Sequence, residues 1–238
     1  MNELQQHEKI INQVAKNVLA PQGLFRKGSS RIWLEDNDYF FIQIEFQASG
    51  YSKGTYLNAG VSFLWEYTDN MNTLLAFNYG YRIIPKGKQF IEYTGNDELF
   101  LEEVESFANE ALNKVIEYRK FKDLEYAKKI LIKETTKNEF WNYYNLAMLC
   151  FLKKDFQEGK TFFHRFLELL KEAIYVEGIY IEWHDEFYKY CMETIVPQCT
   201  NQESAYKMVV EMIQRRRSYF NSKVSFKKMK KELFLGME

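Results

Sequence analysis

The sequence predicts an α+β protein: an N-terminal antiparallel sheet of about four strands flanked by helices, followed by an all-helical region. Apolar residues alternate with polar ones between about residues 40 and 83, and from Asn96 onward they recur at helical spacing. Proline (3) and glycine (11) are scarce among the 238 residues, which favours long helices over a loop-rich fold. A hydrophobic content of 46% is sufficient for a core.

A helix is predicted first, because apolar residues recur every three to four positions up to Leu19 and then Pro21 and Gly23 end the pattern. Strands with period-2 alternation follow. They are predicted at residues 25–35, 40–47, 56–65 and 75–83, with a last short strand near 89–93. Short connections between sequential strands indicate an antiparallel meander.

The period changes to 3.6 after Asn96, where Asp97 and Glu98 suit the first turn of a helix that runs to about Tyr118. Further helices are predicted at residues 123–134, 139–152, 156–175, 179–194, 202–220 and 226–234. The expected domains are therefore a sheet domain at 1–119 and a helical domain at 120–238. No low-complexity linker separates them, so we expect them to pack together.

Composition excludes several classes of protein. The formal net charge is −1, so no whole-protein field attracts nucleic acid. Cys150, Cys191 and Cys199 are few and widely spaced, which indicates a reducing compartment rather than a disulfide framework or a zinc site. The N-terminus lacks the apolar run of a signal peptide, and no stretch is long and apolar enough to span a membrane. We expect a cytoplasmic protein with no membrane partner.

Sequence motifs for catalysis are not found. Gly87-Lys88 is followed by Gln89, which breaks the phosphate-binding loop pattern, and no G-x-S-x-G nucleophile elbow occurs. His184 lies within an acidic stretch, but its helical neighbours three and four residues away are aromatic or aliphatic. His164 and Glu168 are spaced as a helix ion pair. The sequence thus predicts no catalytic residue, no metal site and no cofactor.

The C-terminus carries the largest local excess of charge, with nine basic residues and one acidic residue between Lys207 and Lys231. It could bind phosphate or an acidic protein, or it could be a solvated helix face that pairs with the acidic region 92–113. The candidate partner- or anion-binding residues are Arg215, Arg216, Arg217, Lys227, Lys228 and Lys231.

The more polar face of the predicted sheet is a second candidate site. Several of its side chains could line a cleft, although an ordinary solvent-facing surface would have the same pattern. The residues concerned are Arg31, Gln43, Glu45, Gln47, Asn58 and Arg82.

Two stretches resemble known families. Residues 143–163 keep the spacing of a single tetratricopeptide-type helical hairpin, with Gly159 at the expected helix crossing and Phe166 in place of a later small residue. The pattern Leu19-x-Pro21-x-Gly23-x-Phe25, then Arg31-x-Trp33 and residues 56–61, resembles the bacterial domain-of-unknown-function family 4304. That resemblance covers about the first half of the chain, and Leu24 departs from it. It implies an α+β sheet domain in a bacterial cytoplasm and assigns no functional residue.

Three functional hypotheses follow. The first is a non-catalytic protein-binding module, such as an immunity, defence-associated or adaptor protein, with another protein as its partner. The second is nucleic-acid binding through the basic C-terminal helices. The third is an enzyme with a cleft on the polar sheet face. We favour the first, because the motifs of catalysis are missing, the predicted elements have aromatic-rich faces and a helical hairpin is predicted.

Overall fold

The computed structural model describes residues 5–65, 76–137 and 139–230, and it confirms the α+β fold. The helices are α1 (Gln6–Leu19), α2 (Asp97–Tyr118), α3 (Leu124–Glu134), α4 (Phe140–Leu152), α5 (Phe156–Glu172), α6 (Glu182–Tyr190) and α7 (Gln202–Asn221). The strands are β1 (Phe25–Arg26), β2 (Ile32–Asp36), β3 (Phe40–Gln47), β4 (Gly54–Phe63), β5 (Tyr79–Ile83), β6 (Phe90–Glu92), β7 (Tyr175–Val176) and β8 (Ile179–Tyr180).

Strands β1 to β5 lie side by side in chain order, as expected for a meander. The sixth strand, β6, pairs with β4 along the same edge as β5 does. It pairs antiparallel with Gly54–Tyr56, while β5 pairs antiparallel with the following residues up to Val61. The predicted strand at 25–35 is in fact two strands. Gly28 has a φ of 56° and the Lys27 amide donates to the Ile32 carbonyl, so the chain turns between β1 and β2.

One face of this sheet carries the core of the N-terminal part. On β3, Phe40, Ile42, Ile44 and Phe46 are completely buried. Helix α1 packs on α2, and the hydroxyl of Tyr118 at the end of α2 donates to the Ala59 carbonyl of β4. The apolar stripes of α1 and α2 therefore cover the face that alternation predicted to be buried.

The opposite face is not uniformly solvated. Phe41 points away from the α1–α2 core and packs against Phe220 and Phe226, whose own rings stack 4.4 Å apart. The Lys230 amide donates to the Asp36 carboxylate at 2.9 Å. The predicted helix at 226–234 is wrong over its described part, because Val224–Phe226 is a single 3₁₀ turn and residues 227–230 are not helical. Residues 231–234 lie outside the described chain.

The chain forms two compact units. The described residues of the first are 5–62, 76–119 and 220–230, and those of the second are 63–65, 120–137 and 139–219. This division differs from the predicted consecutive ranges 1–119 and 120–238. The aromatic contacts of Phe220 and Phe226 with Phe41 place the C-terminal segment in the first unit.

In the second unit, α4 and α5 form the predicted helical hairpin. Gly159 lies against α4 so closely that a Cβ atom there would be 2.5 Å from the Phe151 ring. Even alanine at this crossing would therefore require the Phe151 ring to move. The resemblance of this hairpin to a tetratricopeptide unit stays a prediction.

His7 on α1 makes the stability of the first unit depend on pH. Its side chain is buried, its Nδ1 atom has no hydrogen-bond partner among the described residues, and its ring stacks on Tyr93. Burial, reinforced by the nearby Arg31 charge, lowers the pKa of His7. The unfolded chain therefore binds a proton more readily than the folded one, and stability is lost as pH falls below about 6.5.

We expect the His7→Phe variant to lose less stability than the wild type between pH 7.5 and pH 5. The phenyl ring keeps the apolar contacts and has no nitrogen to protonate. Chemical denaturation at a series of pH values measures this difference in slope. Parallel pH profiles for the two proteins would contradict the assignment.

Candidate functional site

The second unit exposes an unusual group of large apolar side chains around the hairpin β7–β8. Tyr175 is 62% exposed, Val176 49%, Ile179 65%, Tyr180 47% and the following Trp183 49%. We call these five residues the aromatic hairpin surface. Large apolar side chains grouped at a protein surface often mark an interaction site.

The local sequence explains the hairpin. Glu177 and Gly178 form a two-residue turn in which both have positive φ, 50° and 82°. This is the turn geometry that fits the twist of a tight hairpin, and the flanking Tyr-Val and Ile-Tyr pairs are strong strand formers. The helices predicted at 156–175 and 179–194 are therefore wrong here, because α5 ends at Glu172 and α6 begins at Glu182.

The hairpin is tied to α6 and to the end of α5. The Ile181 amide donates to the Ile174 carbonyl, and the Tyr180 hydroxyl donates to Asp185 at 2.6 Å. His184 is buried with its Nδ1 atom 2.5 Å from the Ala173 carbonyl oxygen. His184 thus links α6 to the end of α5, with the Phe140 ring edge-on to its imidazole.

A concave site adjoins Trp183. The Trp183 indole lies parallel to Trp141, with centroids 6.3 Å apart, and contacts Phe140 at 6.2 Å. These two residues of α4 line a cavity of about 510 Å³ together with the C-terminal end of α5. The other lining residues are Glu139, Leu169, Glu172 and Ala173. The surface therefore combines a projecting hairpin with a neighbouring apolar depression.

The electrostatic character of this surface is acidic. From Lys171 to Lys189 the chain has five carboxylates and two lysines, and Lys189 pairs with Asp185. The hydrogen bonds from Lys189 and Tyr180 lower the pKa of Asp185, so it stays ionised. The other four carboxylates belong to exposed residues, namely Glu172, Glu177, Glu182 and Glu186. Their side chains give the aromatic hairpin surface a negative rim.

The polar sheet face predicted from the sequence forms a hydrogen-bond network rather than a set of free groups. The Asn58 amide donates to Glu45 at 3.0 Å and to Gln47 at 2.9 Å. Arg82 donates to Gln47 at 2.6 Å and to Asn58 at 3.3 Å, and its guanidinium lies 4.0 Å from the centroid of the Tyr56 ring. These groups satisfy one another, which fits a structural network on the β3–β4–β5 surface.

Two residues assigned to that face lie elsewhere or are inaccessible. Arg31 pairs with Glu8 of α1 at 2.8 Å, so it belongs to the helix-covered side. Gln43 is on the polar face but is only 3% exposed, and its Oε1 atom has no hydrogen-bond partner among the described residues. The predicted six-residue cleft is thus reduced to a four-residue network of Glu45, Gln47, Asn58 and Arg82.

The predicted basic surface is also divided. Arg215 is exposed, but Arg216 and Arg217 are each only 3% exposed. On α7 they lie on the same helix face as the buried residues Met212, Ile213 and Phe220. The buried face of this helix is therefore wider than its apolar residues alone indicate. Lys227 and Lys228 are exposed in the first unit, and Lys231 lies outside the described residues. The prediction that Arg216 and Arg217 belong to an exposed anion-binding surface is therefore wrong.

The cysteines do not have the surroundings of nucleophiles. Burial raises the pKa of the Cys150 thiol to about 12 and that of Cys199 to about 11, and it raises the pKa of Cys191 as well. Within residues 5–65, 76–137 and 139–230, no three His, Cys, Asp or Glu side chains are placed to bind a metal together. Nor does that part of the chain contain a helix of the length and apolarity needed to cross a membrane.

The chain matches no protein-family model, no curated protein and no solved structure. The resemblance to the domain-of-unknown-function family 4304 therefore stays a prediction from the sequence.

Proposed function

We propose that the protein is a non-catalytic binding module that recognises a partner protein through the aromatic hairpin surface. The observation that carries this proposal is the exposure of five large apolar side chains, Tyr175, Val176, Ile179, Tyr180 and Trp183, on both faces of one short hairpin and at the helix that follows it. An immunity, defence-associated or adaptor role is compatible with such a module.

The energetic argument is that these side chains are costly to leave in water and favourable to bury. Fully burying a large apolar side chain contributes roughly 1.5–3 kcal/mol. Tyrosine and tryptophan are also enriched among the residues that dominate protein interfaces, because they combine a large area with few rotatable bonds. A two-stranded hairpin of this size is only marginally stable alone, so a partner that covers it would also stabilise it.

The partner's chemistry follows from the rim. The exposed glutamates are interspersed in sequence with the residues of the aromatic hairpin surface, at Glu172, Glu177, Glu182 and Glu186. A complementary surface would place lysine or arginine around an apolar core, and arginine or lysine over Trp183 or the tyrosines would gain a cation–π contact. The same negative rim disfavours nucleic acid at this site, since phosphates would be repelled.

The proposal is tested by affinity capture from the native host with the wild type and the Val176→Ser/Ile179→Ser double variant. We expect the wild type to retain one protein in stoichiometric amount and the double variant to lose it, with a drop in affinity of at least tenfold in a purified binding assay. Because the rim is charged, binding should weaken as salt is raised.

The matched control is Ile132→Ser on α3, where an isoleucine of the same unit is 43% exposed and lies outside the hairpin. We expect this control to retain the partner. Recovery of the same protein by the double variant, or no stoichiometric partner for the wild type, would contradict the proposal.

A further inference from the structure

Two adjoining cavities of the first unit form a groove lined by positive charge. They measure about 440 and 360 Å³ and share Arg26 and Lys228 in their linings. We call this the basic groove. Its basic lining residues are Lys9, Lys16, Arg26, Lys227 and Lys228.

The five cations come from three separate segments of the chain: α1, β1 and the stretch after Val224–Phe226. Among residues 5–65, 76–137 and 139–230, no aspartate or glutamate lines either cavity. Positive charges that converge on one cavity from distant segments raise the potential there and attract an anion. Of the five residues, only Lys227 and Lys228 belong to the basic C-terminal cluster that the sequence predicts.

Arg26 is held in place for such a role. Its Nε donates to the Ser30 carbonyl at 2.6 Å and its Nη2 to the Ser29 carbonyl at 2.7 Å. These two bonds use two of the five N–H donors of a guanidinium, and the turn between β1 and β2 thereby fixes its plane. The remaining donors are suited to the bidentate recognition of a phosphate.

Helix α1 supplies one wall of the groove as a polar stripe. Lys9, Asn12, Gln13 and Lys16 follow at intervals that put them on one helix face, and all four line the larger cavity. Lys9 and Lys16 are seven residues apart, which corresponds to about 10.5 Å along a helix. The groove can therefore contact two anionic groups of one ligand that are separated by several ångströms.

The floor of the larger cavity is apolar, with Ala20, Leu24 and Trp33 in its lining. Trp33 is only 4% exposed, so it cannot act as a stacking platform for successive bases of a single strand. A concave site of this volume with an apolar floor and a few convergent polar groups is typical of small-ligand sites. Single-stranded nucleic acid is thus less well matched than a small ligand.

We propose that the basic groove binds a small organic phosphate of about the size of a nucleoside diphosphate. Its phosphates would contact Arg26, Lys16 and Lys228, and its apolar part would lie beside Ala20, the exposed apolar residue of the lining. The basic groove shares no residue with the aromatic hairpin surface, so it can be present whether or not the proposed partner protein is found.

The experiment is calorimetric titration of the full chain with adenosine diphosphate, with inorganic pyrophosphate and with a 20-nucleotide single-stranded DNA. We expect the diphosphate ligands to bind the wild type and the charge-reversal variants Lys16→Glu and Lys228→Glu to weaken that binding by about tenfold or more each. Lys228→Arg should bind within about threefold of the wild type, because it keeps the charge.

The matched control is Lys53→Glu, which makes the same charge change at an exposed lysine of the first unit that lines neither cavity. It should leave the affinity within about twofold, and all variants should keep the wild-type unfolding midpoint. Three outcomes would overturn the proposal: no binding of either diphosphate at millimolar concentration, equal weakening by Lys53→Glu, or binding of the DNA alone. The last would assign the groove to nucleic acid.

Discussion

Replacing Gly80 with alanine is expected to lower the free energy of unfolding by about 3–5 kcal/mol. Gly80 has a φ of 120°, in a region that L-residues rarely adopt, and a Cβ atom there would lie 2.4 Å from the Ala59 carbonyl oxygen and from Gly60 Cα. The neighbouring atoms are backbone atoms of β4, so they cannot turn aside as a side chain can. Backbone strain and overpacking each contribute about 1–3 kcal/mol.

The closest control is Gly87→Ala. Gly87 also has a positive φ, 79°, but no atom lies within 4 Å of the position that a Cβ would occupy. Only the cost of the positive φ remains, so we expect the free energy of unfolding to fall by about 1–2 kcal/mol. Guanidinium unfolding of both variants measures the two costs, and a Gly80→Ala loss no larger than that of Gly87→Ala would show that β4 and β5 are not in this close contact.

The sequence could predict the parts of this fold in which one physical signal dominates. Strand β3 and helix α2 have unbroken apolar periods, and the periodicity alone locates both. The close pairing of Gly60 with Gly80 is different, because it depends on the register of two strands and no local pattern specifies that register. The glycines indicate that a close backbone contact occurs, but only the folded structure shows which glycine contacts which strand.

The candidate sites were less predictable, for two physical reasons. The hairpin at Tyr175–Tyr180 is a local feature, and the Glu177-Gly178 pair between strand-forming residues is a sequence signal for it. That signal spans only six residues, and the helical patterns on both sides of it are much longer, so the sequence predicts helices there instead. The basic groove is a tertiary feature. Lys9, Arg26 and Lys228 lie in three distant segments, so no stretch of sequence contains its charge pattern.

The second large effect is expected at Trp65 in the second unit, where the Trp65→Ala change should cost about 3–5 kcal/mol. The indole is completely buried and stacks on Phe63 with a centroid distance of 4.6 Å. Its Nε1 donates to Asn145 of α4 at 3.0 Å, and the Tyr144 hydroxyl donates to the Trp65 carbonyl at 2.9 Å. The change removes both the packing and the indole donor, while the bond from Tyr144 uses a backbone atom that remains.

The two contributions can be separated with a double-mutant cycle. Asn145→Leu leaves the buried indole N–H without an acceptor and should cost about 1–3 kcal/mol, whereas Trp65→Phe leaves the Asn145 carbonyl oxygen unsatisfied. In the Trp65→Phe/Asn145→Leu double variant both polar groups are absent, so its loss of stability should be clearly smaller than the sum of the two single losses. Additive losses would mean that the hydrogen bond contributes nothing and that the effect of Trp65→Ala is packing alone.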